Sequence, residues 1–384
     1  MKTGFLSIRG KANDFLSGIC LTMRPLLLLV WLLPTALQAQ YSYTTNNGGI
    51  TITKYYGFGG EVVIPGMIDG LPVTSVGSMA FQNTGLTTLV IPNTMTNIGD
   101  RAFQRCIDLS RVAIPYGVAT IGAGAFAGCV SLTNVTIPGS VTSIGAGPFE
   151  GCASLNAIWV DPLNSFYSDL DGVLFDKRET TLLEYPAGRT GSYTTAKTVS
   201  AIGSYAFSGS SVTGVTVTAP SATIGDHAFE NCLSLTSIAI AGSVTNIEDY
   251  AFLNCRALES IYFEGTPPEV GLFVFGPLGF KATVYCLPGT TGWEPTFHGL
   301  PTALWLLPNP LILNNGSAFG IQTNGFNFTI SWATNTSVIV EATATLAHPK
   351  WTPVATNTLS DGLSHFSAPE WTNAPIRFYR LRSR

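Results

Sequence analysis

Apolar and polar positions recur along this chain with a period close to 23 residues. Seven times a hydrophobic residue stands five positions before a phenylalanine: Val76, Ile98, Ile121, Ile144, Ile202, Ile224 and Ile247 precede Phe81, Phe103, Phe126, Phe149, Phe207, Phe229 and Phe252. A fixed period of roughly 20–50 residues predicts a solenoid, in which each repeat buries its apolar face against its neighbours. Six of the seven hydrophobic residues are followed by glycine, Glu248 being the exception. A glycine at one phase implies either a positive φ or close approach of the next coil. After the phenylalanine, each block runs into alternation closed by proline, as in Leu86-x-x-Leu89-x-Ile91-Pro92 and Leu132-x-x-Val135-x-Ile137-Pro138. That pattern predicts a short strand with one side buried. Stacked about 4.8 Å apart, such strands form a parallel sheet along one face of the solenoid.

The full phase, Leu-x-x-Ile-x-Ile-Pro-x-x-Val-x-x-Ile-Gly-x-x-Ala-Phe-x-x-Cys, is matched almost throughout residues 86–155 and again over 199–263. In this the chain resembles the bacterial BspA-like leucine-rich repeats, also called the Treponema pallidum type. The resemblance implies a curved leucine-rich-repeat solenoid, and proteins that are commonly secreted or surface-attached and act in adhesion or other binding. The fold class that follows is a leucine-rich-repeat solenoid with stacked short parallel strands and a hairpin insertion, plus a small C-terminal all-β module. Residues 40–72 read as an N-terminal cap hairpin around Asn47-Gly48. Residues 73–264 read as the repeats, with a variant hairpin repeat over 156–198 that replaces one coil without breaking the stack, so that the seven phenylalanines form one column. Residues 265–305 read as a C-terminal cap. Pro308-Asn309-Pro310 and Asn314-Asn315-Gly316 suggest a linker, and 306–384 a β-sandwich-like module.

Composition adds a compartment. The chain is 46% hydrophobic and 11% charged, and part of that excess is the run Leu26–Leu33 between Met23-Arg24-Pro25 and the small residues that end at Ala39. This is the layout of a secretory signal cleaved near Ala39, residues 1–39 in all, with Met23 an alternative start to Met1. The run is too short to span a bilayer. An exported chain is expected outside the cytoplasm: extracellular, on the cell surface or periplasmic. Residues 40–304 carry 10 basic and 19 acidic residues, and 305–384 carry 5 and 3. Without a basic stripe to neutralise phosphates, nucleic acid is not an expected partner.

No motif for catalysis stands out, and no cofactor is implied. The histidines, His227, His298, His348 and His365, are scattered, and no nucleophile, base and orienting group assemble. Cys106, Cys129 and Cys152 share one phase, as do Cys232 and Cys255, while the first and fifth copies are one residue shorter and lack the cysteine. Stacked side chains that point the same way suit buried free thiols better than disulfides. Paired short Cys/His spacings for zinc are absent. Asp169-Leu170-Asp171-Gly172, near Asp161 and Asp176, fits a plain Asp-Gly turn better than a calcium loop, since residue 180 is threonine and not the glutamate that would complete such a loop.

Two rows of strand residues should face outward: Val90, Ala113, Thr136, Trp159, Thr216, Ala239 and Tyr262, beside Thr88, Arg111, Asn134, Ala157, Gly214, Ser237 and Ser260. They are short and nearly uncharged, so they suit an extracellular protein or glycan ligand, or are simply what a crowded sheet tolerates. Trp159, Tyr262, Arg111, Asn134 and Thr136 are the candidate ligand-binding residues. The expected function is non-enzymatic binding or adhesion at this face. The alternatives are a structural envelope or matrix protein that self-associates, and an accessory protein of a polysaccharide-degrading system.

Overall fold

The computed structural model describes residues 40–384 apart from 219–221, 277–280, 306–309, 314–318, 323–324, 333–335, 361, 369–376 and 384. The expected signal segment and most of the expected linker lie outside the described residues. Among the described residues there is no helix, and hence none long and apolar enough to cross a membrane. The repeats form a solenoid of stacked parallel strands. One row holds the strands expected from the alternation: Gly60–Val63, Leu86–Val90 and Arg111–Ala113 pair in parallel, and Asn134–Ile137 pairs with Ala157–Val160. Farther on, Gly191–Thr194, Val212–Val217, Ser237–Ile240, Ser260–Phe263, Thr283–Cys286 and Leu300–Leu304 continue the row, which Thr296–Phe297 closes antiparallel.

A second row carries the residue five before each phenylalanine. Asn97–Ile98, Thr120–Ile121 and Ser143–Ile144 are strands of two residues, too short for alternation to reveal. The hairpin Tyr41–Asn46 and Gly49–Tyr55 starts this row, its turn made by Asn47 and Gly48 at φ 47° and 81°. The glycines that follow are explained by close approach and not by φ. A Cβ at Gly122 would lie 2.4 Å from Asp100 N, and one at Gly145 would lie 2.3 Å from Ala123 N. The left-handed residues instead flank the phenylalanine two positions before and after, as Arg101 and Arg105 do around Phe103. For a residue other than glycine each such position costs about 1–2 kcal/mol.

At the phenylalanine turn the coils are joined through the backbone. Phe103 N–H donates to Ala125 O and Phe126 N–H to Pro148 O, both at 2.8 Å. The rings of Phe81, Phe103, Phe126 and Phe149 stack with centroids 5.0, 5.2 and 5.6 Å apart, and Tyr55 lies on Phe81. All are fully buried but Tyr55, so removing one phenylalanine ring costs about 3–5 kcal/mol. Each cysteine thiol of the repeat phase donates to the phenylalanine carbonyl of the preceding coil: Cys129 to Phe103 O and Cys152 to Phe126 O at 3.2 Å, Cys255 to Phe229 O at 2.9 Å. In the two short copies Thr84 and Ser210 take the same place, three after the phenylalanine, and their hydroxyls contact Cys106 and Cys232. All six cysteines from Cys106 to Cys286 are free and buried, and burial holds the Cys152 thiol well above its ordinary range.

The hairpin insertion divides the stack, contrary to the single column expected from the spacing. It is a three-stranded meander, Tyr167–Leu170, Val173–Asp176 and Thr181–Glu184. Ring stacking stops at Phe149 and resumes as Tyr185, Phe207, Phe229, Phe252 and Phe275, with centroids 4.8–5.8 Å apart. Phe275 extends the column past residue 264. Leu174 packs in the first core, while Val173 and Phe175 on either side of it pack in the second. Across this seam side chains replace backbone acceptors. Ile144 N–H donates to the Tyr167 hydroxyl (2.8 Å), Val160 N–H to the Asp169 carboxylate (2.7 Å) and Phe149 N–H to Glu184 Oε2 (3.5 Å). Glu184 thus stands where Ala102 O or Ala125 O serves elsewhere. It is buried, and burial raises its pKa well above the carboxylate range.

The C-terminal module packs one sheet, Leu311–Leu313, Gly320–Gln322, Gly325–Ser331 and Leu363–Ala368, against another, Thr336–Thr343, Thr352–Leu359 and Phe378–Ser383. Its core holds Phe328, Ile330, Val338, Val340, Leu359 and Phe366. The buried carboxylate of Glu341 is paired with Arg380 (2.7 Å) and Arg382 (3.1 Å). The module touches the repeat cap where the Ser331 hydroxyl donates to Pro288 O at 3.0 Å.

Two outcomes follow from the buried groups. Alkylation of unfolded, unreduced protein is expected to label every cysteine from Cys106 to Cys286; protection of any two as a pair would show a disulfide. A folded pKa raised above the unfolded value of about 4.5 means that the stability Glu184 contributes is complete below that pH and is lost as pH rises through the folded pKa. Glu184→Gln keeps an acceptor for Phe149 N–H and does not ionise. Denaturant titrations from pH 4.5 to 8 are expected to show the variant gaining on the parent as pH rises, whereas a constant difference would refute the assignment.

Candidate binding site on the repeat sheet

The outward residues of the repeat strands are set by their alternation. Leu89, Val112, Val135 and Ile158 are buried, so Val90, Ala113, Thr136 and Trp159 face out, and all four are exposed. Ala157 does not join the open face. The Asp171-Gly172 turn lies against it, so close that a Cβ at Gly172 would sit 2.8 Å from the Ala157 Cβ, and Ala157 is buried.

The candidate residues fall in three places. Arg111 and Asn134 line an open depression of about 300 Å³ together with Val112, Ala113 and Thr133. It lies where the Arg111–Ala113 and Asn134–Ile137 strands belong to different sheets, bridged at its rim by a long Thr133 N–H to Ser110 O contact of 3.4 Å. Thr136 and Trp159 are register partners on the next pair of strands. Trp159 is 48% exposed and has no ring partner among the described residues. Tyr262 lies in the separate second sheet, three strands beyond its first, so more than about 14 Å of sheet precedes it. Trp159 and Tyr262 are therefore not brought together.

Tyr262 has other company. Tyr285 is its register partner, with ring centroids 5.0 Å apart and planes at 19°, and Trp305 leans on it at 4.8 Å and 43°. Tyr285 stands 23 residues after Tyr262, so the period itself marks it, although the surrounding pattern has decayed there. Beside this cluster a row of small residues, Ser192, Gly214, Ser237, Ser260 and Thr283, runs in register along the sheet, next to Thr194, Thr216 and Ala239. Neither row carries a charge. The stacked tyrosines turn their faces to each other, so a ligand meets ring edges, phenol hydroxyls and the indole of Trp305.

The acidic residues of the insertion are engaged locally. Asp176 accepts from Thr180 and Thr181 N–H (2.7 and 2.6 Å), Asp161 from Leu163 N–H (2.9 Å), and Asp171 and Gly172 make the turn at φ 51° and 72°. Among the described residues no three His, Cys, Asp or Glu side chains converge as metal ligands.

Coils of this length, with one strand per coil in the repeat sheet and a phenylalanine turn, define a leucine-rich repeat protein. The BspA type leucine rich repeat region matches in six copies over residues 74–170 and 189–281, and the chain belongs to that family. Among solved structures, a leucine-rich repeat protein from Eubacterium ventriosum is 25% identical with a TM-score of 0.51, covering 63% of this chain and 74% of that one. A leucine rich cell surface protein from Faecalibacterium prausnitzii (23% identity, TM-score 0.31, 58% and 86% covered) is more distant. So is the Treponema pallidum leucine rich repeat protein (22%, 0.31, 57% and 88%). No curated protein matches the chain at a significant level.

Proposed function

We propose that this protein is an exported, non-enzymatic binding or adhesion protein whose second repeat sheet takes an extracellular protein or glycan ligand. The observation that carries the reading is the uncharged outward face of residues 191–305, where a hydroxyl row leads to the Tyr262, Tyr285 and Trp305 cluster. Hydroxyls repeating once per coil offer evenly spaced hydrogen bonds, and the aromatic cluster supplies rigid contact area at low entropic cost. The absence of charge removes long-range steering and suits a neutral glycan or a flat polar protein surface. Export rests on the apolar run that ends before Ala39. Family membership leaves the ligand open, because ligands are set by the site and not by the fold.

A structural role with self-association has its own observation. The C-terminal end of the repeat sheet is closed by Thr296–Phe297, whereas Gly60–Val63 is an edge strand beside exposed Tyr56, Phe58 and Met67. Open edges and apolar patches favour association, which sedimentation over a range of concentrations separates from ligand binding.

The test is a polysaccharide and extracellular-protein panel probed with the mature chain. Tyr285→Ala and Trp305→Ala are each expected to weaken binding tenfold or more, about 1.4 kcal/mol, with unchanged circular dichroism. Trp159→Ala is expected to leave a short ligand unaffected. The reverse pattern would move the site to the first block and its depression.

A further inference from the structure

A second aromatic ladder lies away from the repeat sheet, two residues before the phenylalanine of each coil. Tyr205, His227, Tyr250 and Phe273 stack with centroids 4.7, 4.8 and 5.7 Å apart and planes within 6–16°. All four are left-handed, at φ 63°, 55°, 55° and 50°. Their backbones are tied coil to coil: Tyr205 N–H donates to Asp226 O, His227 N–H to Asp249 O and Tyr250 N–H to Leu272 O. In the first block the same place is held by Met79, Arg101, Gly124 and Gly147. Glycine serves there, so the coil does not require a ring at this position. The rings are not core either. Tyr205, His227 and Tyr250 are half-buried, and Phe273 and its neighbour Leu272 are 63% and 64% exposed.

The charge around the ladder is mostly acidic, with Arg101 of the first block the opposing charge that acts on Tyr205. Residues 74–155 carry three acidic and three basic residues, while 200–276 carry seven acidic residues and Arg256 alone. Four of the seven adjoin the rings and are held in place. Glu230 contacts His227 Nδ1 at 2.6 Å and Asp226 lies 3.7 Å from its Nε2. Asp249 accepts from Leu272 N–H at 2.7 Å and Glu248 from Asp226 N–H at 3.1 Å. Among the described residues nothing donates a hydrogen bond to Asp226 Oδ1.

We propose that the Tyr205, His227, Tyr250 and Phe273 ladder with its flanking carboxylates is a docking surface for a cationic segment, rich in arginine or lysine, of an extracellular polypeptide. The stacked rings show their edges, against which the alkyl stems of such side chains pack. Their charged ends meet Asp226, Glu230, Glu248 and Asp249. Phe273 ends the described stack, and its exposed ring is open to a guanidinium. A neutral or anionic partner gains nothing from this surround, and in a second copy of the chain the first block is neutral and Arg380 and Arg382 of the C-terminal module are already paired with Glu341. The surface is separate from the repeat sheet, and the inference does not rest on the ligand proposed there.

The experiment is fluorescence anisotropy of labelled octa-arginine against the full mature chain at low and moderate salt. Tyr250→Gly with Phe273→Gly suits the left-handed backbone, as Gly124 and Gly147 do, and is expected to weaken binding tenfold or more with the thermal transition retained. Glu248→Gln with Asp249→Asn keeps the acceptors of both N–H groups and is expected to weaken binding similarly, with a shallower salt dependence. Asp108→Asn in the first block, and Tyr285→Ala on the repeat sheet, are expected to change nothing. Equal binding by parent and ladder variant would reduce the effect to attraction by net charge and overturn the proposal. So would the absence of binding by the parent, or a dimer abolished by the ladder variant in sedimentation without any peptide binding.

Discussion

Backbone hydrogen bonds running from coil to coil set a spacing of about 4.8 Å, and the side chains of every repeat must fit within it. An aromatic ring is thin enough to stack at that distance, which is why Phe103, Phe126 and Phe149 form a column. A Cβ at the position after Ile121 or Ile144 is not tolerated, because the neighbouring backbone occupies its place, and glycine stands there. A thiol three residues after the phenylalanine reaches one coil back to the carbonyl of the previous phenylalanine, and a serine or threonine hydroxyl fills the same place where the turn is shorter. The repeated residues are therefore answers to one distance, imposed again and again.

Where that distance is interrupted, the protein restores several lost partners with side chains, beside backbone bonds such as Gly151 N–H to Ser208 O. Glu184 supplies an acceptor to Phe149 N–H, Tyr167 to Ile144 N–H and Asp169 to Val160 N–H. Burial disfavours the charged form of the Glu184 carboxyl, and its oxygen spares the core the penalty of an unpaired amide. Val173–Asp176 serves both blocks, its alternate side chains facing the two cores in turn.

The solenoid, its first row of strands and the cap hairpin were legible in the sequence because they rest on local alternation, a period and an Asn-Gly turn. The second row was not, since two residues such as Thr120 and Ile121 cannot show a period. The break at Phe149 was hidden for a different reason. Glu184 and Tyr185 read as an ordinary polar-apolar pair, and nothing local says that a carboxylate replaces a carbonyl. The candidate face was readable strand by strand, as the exposure of Thr136 and Trp159 shows. Which strands share a sheet depends on pairing between distant segments, so the separation of Trp159 from Tyr262, and the gathering of Tyr262 with Trp305, could only come from three dimensions. The meaning of the glycine phase was likewise open between two causes until the approach of the neighbouring coil settled it.

The seam has a mechanical side. Along each block, tension applied between the ends is shared by a dense series of amide bridges at every coil, which must fail together. Between Phe149 and Tyr185 the blocks are held by a few bonds, several of them to flexible side chains. In a chain of nearest-neighbour units the weakest junction sets where the array opens. Pulled between its N-terminal hairpin and Leu300–Leu304, the repeat array is expected to part at the insertion first. The meander then pays out as slack, and two folded halves remain joined by a tether.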